Sequence, residues 1–261
     1  MDLGLSGKAA LVTGASKGIG AAVAIALARE GADVLAVARS SANLEAPGPA
    51  NSAVRAGRIF SFQADLTEAA AFDAVHGEML RLFGRIDILS NNAGSTKPGD
   101  FLALSDEAWE QGFALKFHSA RRLARTCGPT LRAAKGCIVN TIGIMSRTAV
   151  IDYAMGGAVN TSLYHLTKAL ADLGVREGVR VNAVNPGRIA TDRREQSLAK
   201  IIDARGISRA DAEKELLDSC GIARFGTTEE VASAVCFLAS ERAGFINGAI
   251  LDVDGGQTRG L

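Results

Sequence analysis

The 261-residue chain has little of several residue types that often carry chemistry: two tyrosines, one tryptophan, three histidines and four cysteines. No pair among Cys127, Cys137, Cys220 and Cys236 has metal or redox spacing, so no metal site is expected. The reading is of reduced thiols in a cytoplasmic protein. Neither charge sign is in excess, since 29 basic residues against 28 acidic ones leave a formal net charge of +1. Nucleic acid and anionic membrane surfaces are therefore not expected partners. No apolar run reaches the ~18 residues a spanning helix needs. The opening "MDLGLSGKAALVTG" shows no charged stretch followed by a long apolar run, so no secretory leader is expected. There is no internal repeat.

What is present is an ordinary globular balance, 48% hydrophobic and 22% charged, with ample material for a core. Short apolar runs alternate with amphipathic ones. "AALVTGAS", "DVLAVAR", "RIFSFQADL", "IDILSNNAG", "GCIVNTIG", "VRVNAVNPG" and "AILDVDGG" read as strands, with helical segments between them. Continuous Val/Ile/Leu strands alternating with helices predict an α/β fold, a parallel sheet covered on both faces. Ligands then bind beyond the carboxyl ends of the strands. Those ends carry "TGASKGIG", "AR", "ADL", "NNAG", "NTIG" and "NPGRIATD", which predicts one site built from many loops. "PGPANSAVRAG" (47–57) reads as a surface connection. Residues 192–225 form a charged insertion and a candidate lid. Its seven basic and seven acidic residues name no substrate.

"TGASKGIG" lies between the first strand and the first helix. Gly14 permits a tight turn, Gly18 lets a phosphate approach the backbone, and Gly20 allows close helix–strand packing. The helix N-terminus offers free N–H groups to a pyrophosphate. With "NNAG" (91–94), "RVNAVNPGRIATD" and "INGAILDVDGG", this turn resembles the motifs of the short-chain dehydrogenase/reductase family, in order and over nearly the whole chain. The resemblance implies a single Rossmann-type domain over 1–261, a seven-stranded doubly wound parallel sheet and a nicotinamide cofactor. The residues expected to bind the cofactor are Gly14, Ser16, Lys17, Gly18, Ile19, Gly20, Arg39, Ser40, Asp65, Leu66, Asn92, Ala93, Gly94, Thr141, Pro186, Gly187, Ile189 and Thr191. NAD enzymes of this fold usually end strand two with an acid that holds the ribose hydroxyls. Here that position is Ala38, followed by Arg39, with Lys17 in the Gly-rich turn. Two cations and no acid suit a 2′-phosphate, so NADP(H) is expected. Asp65 matches the family's adenine contact and also reads as a helix N-cap.

The family's usual chemistry uses a tyrosine, a lysine one helical turn later, a serine after strand five and an asparagine on the preceding helix. Tyr164-x-x-x-Lys168 offers a literal match. However, "TKALADLGVREGVRVN" aligns with the family's later mid-helix segment and places the tyrosine position at Gly156 and the lysine position at Asn160. Tyr164 lies eight residues beyond Gly156, ~12 Å along a helix. The serine position falls at Gly143 and the asparagine position at Lys116. All four usual residues are thus replaced, and Tyr164 and Lys168 read as a decoy.

Two readings remain. In one, the site is rebuilt: Lys116 and Tyr153 donate or orient protons and Asn160 holds ribose or substrate. Tyr153, Gly156 and Asn160 have spacings that share a helix face, and Gly156 and Gly157 leave open space beneath the Tyr153 ring. Thr141 and Ser146 are candidate substitutes for the serine hydroxyl. His118 and His165 read as helix-interface residues, His76 as surface. The expected activity is hydride transfer between NADP(H) and a small carbonyl or alcohol. In the other reading the chain binds NADP(H) without turnover, or is a lyase or isomerase on the same scaffold. The helices around "FALKFHSARRLARTCGPTLRAA" and "GGAVNTSLYHLTKALADLG" resemble those of the family's dimer interface, which implies a homodimer or homotetramer.

Overall fold

A computed structural model describes residues 2–40 and 56–259. Most of the connection expected at 47–57 lies outside the described residues. Seven strands form one parallel sheet: β1 (Ala9–Thr13), β2 (Asp33–Ala38), β3 (Ile59–Gln63), β4 (Ile88–Asn91), β5 (Cys137–Thr141), β6 (Arg180–Pro186) and β7 (Ile250–Val253). Their spatial order is β3-β2-β1-β4-β5-β6-β7. Each corresponds to one of the apolar runs in the sequence, and the expected doubly wound α/β sheet is the observed one.

The reason lies in where the apolar residues fall. Every residue of β1, β4 and β5 is buried, whereas β3 and β7, at the sheet edges, keep partial exposure. Successive strand side chains point to opposite faces. Ala10, Val12, Val34 and Ala36 meet Val23 and Leu27 of α1 (Gly18–Arg29) and Val231 and Val235 of α8 (Thr228–Ala239). On the other face Leu11, Leu35 and Val37 meet α2 (Ala70–Phe83), α4 (Ser119–Ala134) and α5 (Ala154–Glu177) through Met79, Leu123, Leu131 and Ala171. Each such fully buried Val, Leu or Met side chain contributes roughly 1.5–3 kcal/mol. These two layers fix the sheet, and the parallel strands send the turns after β1, β2, β4, β5 and β6 to the same edge.

Two features bear directly on that edge. The helix α3 (Asp106–Gly112) passes into α4 through a widened, π-type turn at Phe113–His118. Such turns re-aim side chains and recur at functional sites. After β6 come α6 (Asp192–Arg205) and α7 (Arg209–Cys220), which share an apolar cluster of Leu198, Ala212, Leu216 and Phe225. Of the histidines, His118 is half-buried and packs beside Phe113 and Phe117 of its own π-type turn. His76 departs from its expected surface position: it is half-buried and shares a 2.9 Å hydrogen bond with Thr130 Oγ1, tying α2 to α4. His165, expected in a helix interface, is exposed on α5 in the single chain. The four cysteines are unpaired. Among the described residues no cluster could hold a metal and no helix is long and apolar enough to cross a membrane.

Candidate active site

A cleft of about 740 Å³ opens at the carboxyl ends of the strands. One wall is the Gly-rich turn. Lys17 stands at the N-cap of α1 without a capping side-chain bond, which leaves the first N–H groups of the helix available to an anion. A Cβ on Gly20 would lie 2.3 Å from the Gly14 carbonyl oxygen, so only glycine lets α1 pack this close to β1. The turn after β4 is tied to the same place, because the N–H groups of Asn92 and Ala93 both donate to Thr13 Oγ1 at 3.0 Å. Of the residues expected to contact the cofactor, all but Gly18, Gly20 and Asp65 line the cleft. Asp65 instead accepts from the Thr67 N–H and hydroxyl at 2.9 and 2.8 Å. Those bonds, with Arg39 as a further cause, hold its carboxyl below the ordinary range. It caps a turn and not a helix, since α2 starts only at Ala70.

The cleft is cationic. Lys17, Arg39, Lys116, Arg188, Arg193 and Arg194 line it, and no described lining residue is Asp or Glu. Lys17 Nζ lies 2.6 Å from Asp192 at the start of α6, in a pair exposed on both sides. Such a pair is worth about 0–1 kcal/mol, so a phosphate can displace it.

At the other end, the three candidate catalytic side chains each lie against a glycine. Gly143 has φ +144°, where a side chain is strained, and its N–H donates to Asn185 Oδ1 at 3.0 Å. A Cβ on Gly143 would stand 3.1 Å from Asn160 Nδ2. Asn160 is 4% exposed, and its Oδ1 has no hydrogen-bond partner. An orphaned buried acceptor is costly, and a ligand hydroxyl reaching it would relieve that cost. Lys116 sits on the π-type turn and packs its stem over Gly94, whose Cβ would meet Lys116 Cγ at 2.8 Å. Its ammonium donates to the Ile142 carbonyl, immediately before Gly143. Burial of that ammonium, and secondarily the nearby Arg193, lower the Lys116 pKa to about 7.

Tyr153 differs from its sequence expectation. It precedes α5 with φ −134° and ψ 29°, off the helix. Its ring fills the space expected to be open, lying so close that a Cβ on Gly156 would be 2.0 Å from Tyr153 Cε1. Its hydroxyl is 2.5 Å from Thr96 Oγ1 and accepts from Arg193 Nη1 at 3.3 Å. Only Lys116 of the three lines the cleft; Tyr153 and Asn160 stand just behind it. Thr141 lines it with an unpartnered buried hydroxyl, while Ser146 Oγ donates to Asn185 Oδ1 at 3.4 Å. Tyr164 packs beside Leu163 under the Arg147 guanidinium, Lys168 is exposed, and neither lines the cleft. Arg188 and Arg193 carry cleft charge that sequence reading did not single out.

A doubly wound sheet whose strand ends gather a Gly-rich turn, a free helix N-terminus and a cationic cleft defines a dinucleotide-binding α/β protein. A family model described as enoyl-(acyl carrier protein) reductase matches residues 14–258. D-threitol dehydrogenase of Mycolicibacterium smegmatis is 35% identical over 260 residues, covering 98% of this chain and 95% of that protein. L-sorbose reductase from Gluconobacter frateurii, solved with NADPH and L-sorbose, superposes with a TM-score of 0.90 at 31% identity, with 100% of each chain covered. A 7α-hydroxysteroid dehydrogenase solved with NADH and 7-oxo glycochenodeoxycholic acid gives a TM-score of 0.85 at 26% identity, covering 100% of this chain and 98% of that one. The chain belongs to the short-chain dehydrogenase/reductase family of oxidoreductases.

Proposed function

We propose that this protein is an NADP(H)-dependent oxidoreductase that interconverts an alcohol and a carbonyl, with Lys116 as its proton-transfer group. The observation that carries the reading is the buried Lys116 ammonium at the end of β5, on the cleft and poised near neutrality. A bound nicotinamide cofactor would supply or accept the hydride. The chain's part is to hold the substrate oxygen and move a proton. Lys116 gives or takes that proton, the role a tuned lysine can fill. Tyr153, fixed by Thr96 and Arg193, orients the oxygen, and Asn160 Oδ1 receives a ribose or substrate hydroxyl. Lys17, Arg39 and Ser40, beside the acid-free end of β2, take the 2′-phosphate. Gly14, Ser16, Ile19, Leu66, Asn92, Ala93, Gly94, Thr141, Pro186, Gly187, Ile189 and Thr191 hold the rest, with α6 and α7 as the lid. The polyol and ketose named for the relatives support a hydroxy or carbonyl compound as substrate.

Titration with NADPH and NADH, followed by absorbance at 340 nm against a panel of alcohols and ketones, tests the reading. Tighter NADPH binding with turnover that disappears in Lys116→Met is expected. Equal affinity for NADH would remove the cofactor assignment. The empty tyrosine and serine positions at Gly156 and Gly143 favour a second reading, an NADP(H)-binding protein without turnover, and binding without any absorbance change would favour it. Substrate conversion with no change at 340 nm would point instead to a lyase or isomerase.

A further inference from the structure

The charges at the reacting end of the cleft do not balance. The first residues of α6 reach in opposite directions: Asp192 to Lys17 in the Gly-rich turn, and Arg193 to the Tyr153 hydroxyl. Arg194, next along, is paired with Glu195 and lies over the Phe225 ring. Arg193 differs from it. Its hydrogen bond is to a neutral phenol, and it forms no ion pair among the described residues. Lys116 is close enough for the two cations to repel. Arg188, on the same stretch, holds a buried Nε with no partner. Lys17 and Arg39 are at the other end, where the proposed cofactor's phosphates would take them. That leaves Lys116, Arg188 and Arg193 around the substrate position with no acid among the lining residues. Like charges held close together repel until an opposite charge joins them.

We infer that the substrate supplies the missing charge: it is a hydroxy acid or keto acid whose carboxylate is held by Arg193, with its hydroxyl or carbonyl oxygen at Lys116. The planar guanidinium fork matches a carboxylate with two parallel hydrogen bonds. A neutral polyol would leave these cations uncompensated. In the oxidative direction the alcohol carbon loses a hydride to the oxidised cofactor and the hydroxyl proton passes to the neutral Lys116 amine. A C=O bond forms, and the carboxylate is unchanged. The reaction rests on the function proposed above; the anion subsite rests on the charges alone.

The test uses D-gluconate and D-sorbitol, which differ by a carboxylate against a hydroxymethyl group, with glycolate and glucose 6-phosphate as further probes. Binding to the NADP⁺ complex is measured by calorimetry and turnover at 340 nm. The carboxylates should bind at least tenfold tighter than sorbitol. Arg193→Gln should reduce that preference at least tenfold, and Arg193→Lys should restore part of it. Arg193 is exposed, so these variants should fold, and their melting temperatures check this. Sorbitol binding as well as the acids, an unaltered preference in Arg193→Gln, or no carboxylate binding at all would each overturn the inference while leaving the oxidoreductase reading intact. Arg193-dependent binding of glucose 6-phosphate alone would also overturn it, in favour of a phosphate ester. Arg193-dependent carboxylate binding with no absorbance change for any substrate would keep the subsite and remove the oxidoreductase reading.

Discussion

At the scale of single residues, the proposed function turns on Lys116. Its ammonium is drawn below the ordinary lysine range of 10.5 to about 7, chiefly by burial. The sign of the consequence differs with direction. Carbonyl reduction needs the protonated amine, so kcat/KM for reduction should fall as pH rises through about 7. Alcohol oxidation needs the neutral amine, so its kcat/KM should fall as pH drops through about 7. A profile flat from pH 6 to pH 8 in both directions would reassign the proton to another group. Stability carries a second sign. Between about pH 7 and 10.5 the unfolded chain holds a proton that the folded chain has released, so folding stability rises with pH across that window. Lys116→Met should flatten this slope, raise the melting temperature at pH 7 and abolish turnover. Arg193 shows what residue counting cannot supply. The balanced charges of 192–225 conceal it, because Arg194, Glu195, Arg205, Arg209 and Glu215 pair with one another while Arg193 lines the cleft. Which side chain turns inward depends on the phase of α6 over the cleft, and no count of charges contains that phase.

At the scale of elements, the strands were legible because burial on both faces writes itself as uninterrupted Val, Ile and Leu, and the turns because Gly and Asn cluster at strand ends. The entry to α5 was not legible. Tyr153, Gly156 and Asn160 have helical spacing, yet the helix starts after Tyr153, and the ring folds back over Gly156. The π-type turn under Lys116 leaves no trace in periodicity over its six residues. The α5 entry gives a sharp prediction. In Gly156→Ala the new methyl would stand 2.0 Å from Tyr153 Cε1, so the ring must leave and its bonds to Thr96 and Arg193 must break. Overpacking of this kind costs about 1–3 kcal/mol. Gly156→Ala should lose that much stability by denaturant unfolding and most of its kcat. With Tyr153→Ala already present, the same change should cost almost no further stability, since alanine is the better helix former. Equal costs in the two backgrounds would mean that ring and glycine are not coupled.

At the scale of the whole molecule, the sheet ends unevenly. β3 and β7 are its edges, and an edge strand that is neither covered nor charged invites pairing with another chain. Beside β7 the apolar surface is considerable: Phe245 is fully exposed, Leu251 is 40% exposed and Phe237, on α8, is 36% exposed. α8 and β7 pack together, so these side chains share one end of the molecule. The helix pair expected from the sequence to form a dimer offers a second face, on which Leu173 of α5 is 45% exposed. A net charge of +1 sets up little repulsion between copies. Two apolar faces on one chain, each matched to its own copy by a two-fold axis, build a tetramer; one alone builds a dimer. Light scattering should therefore give the mass of a homodimer or homotetramer. Phe245→Glu places a charge on this exposed apolar surface and should lower that mass by half while leaving NADPH affinity in place, since Phe245 does not line the cleft. A wild-type protein that runs as a monomer would show that both faces are solvated as they stand.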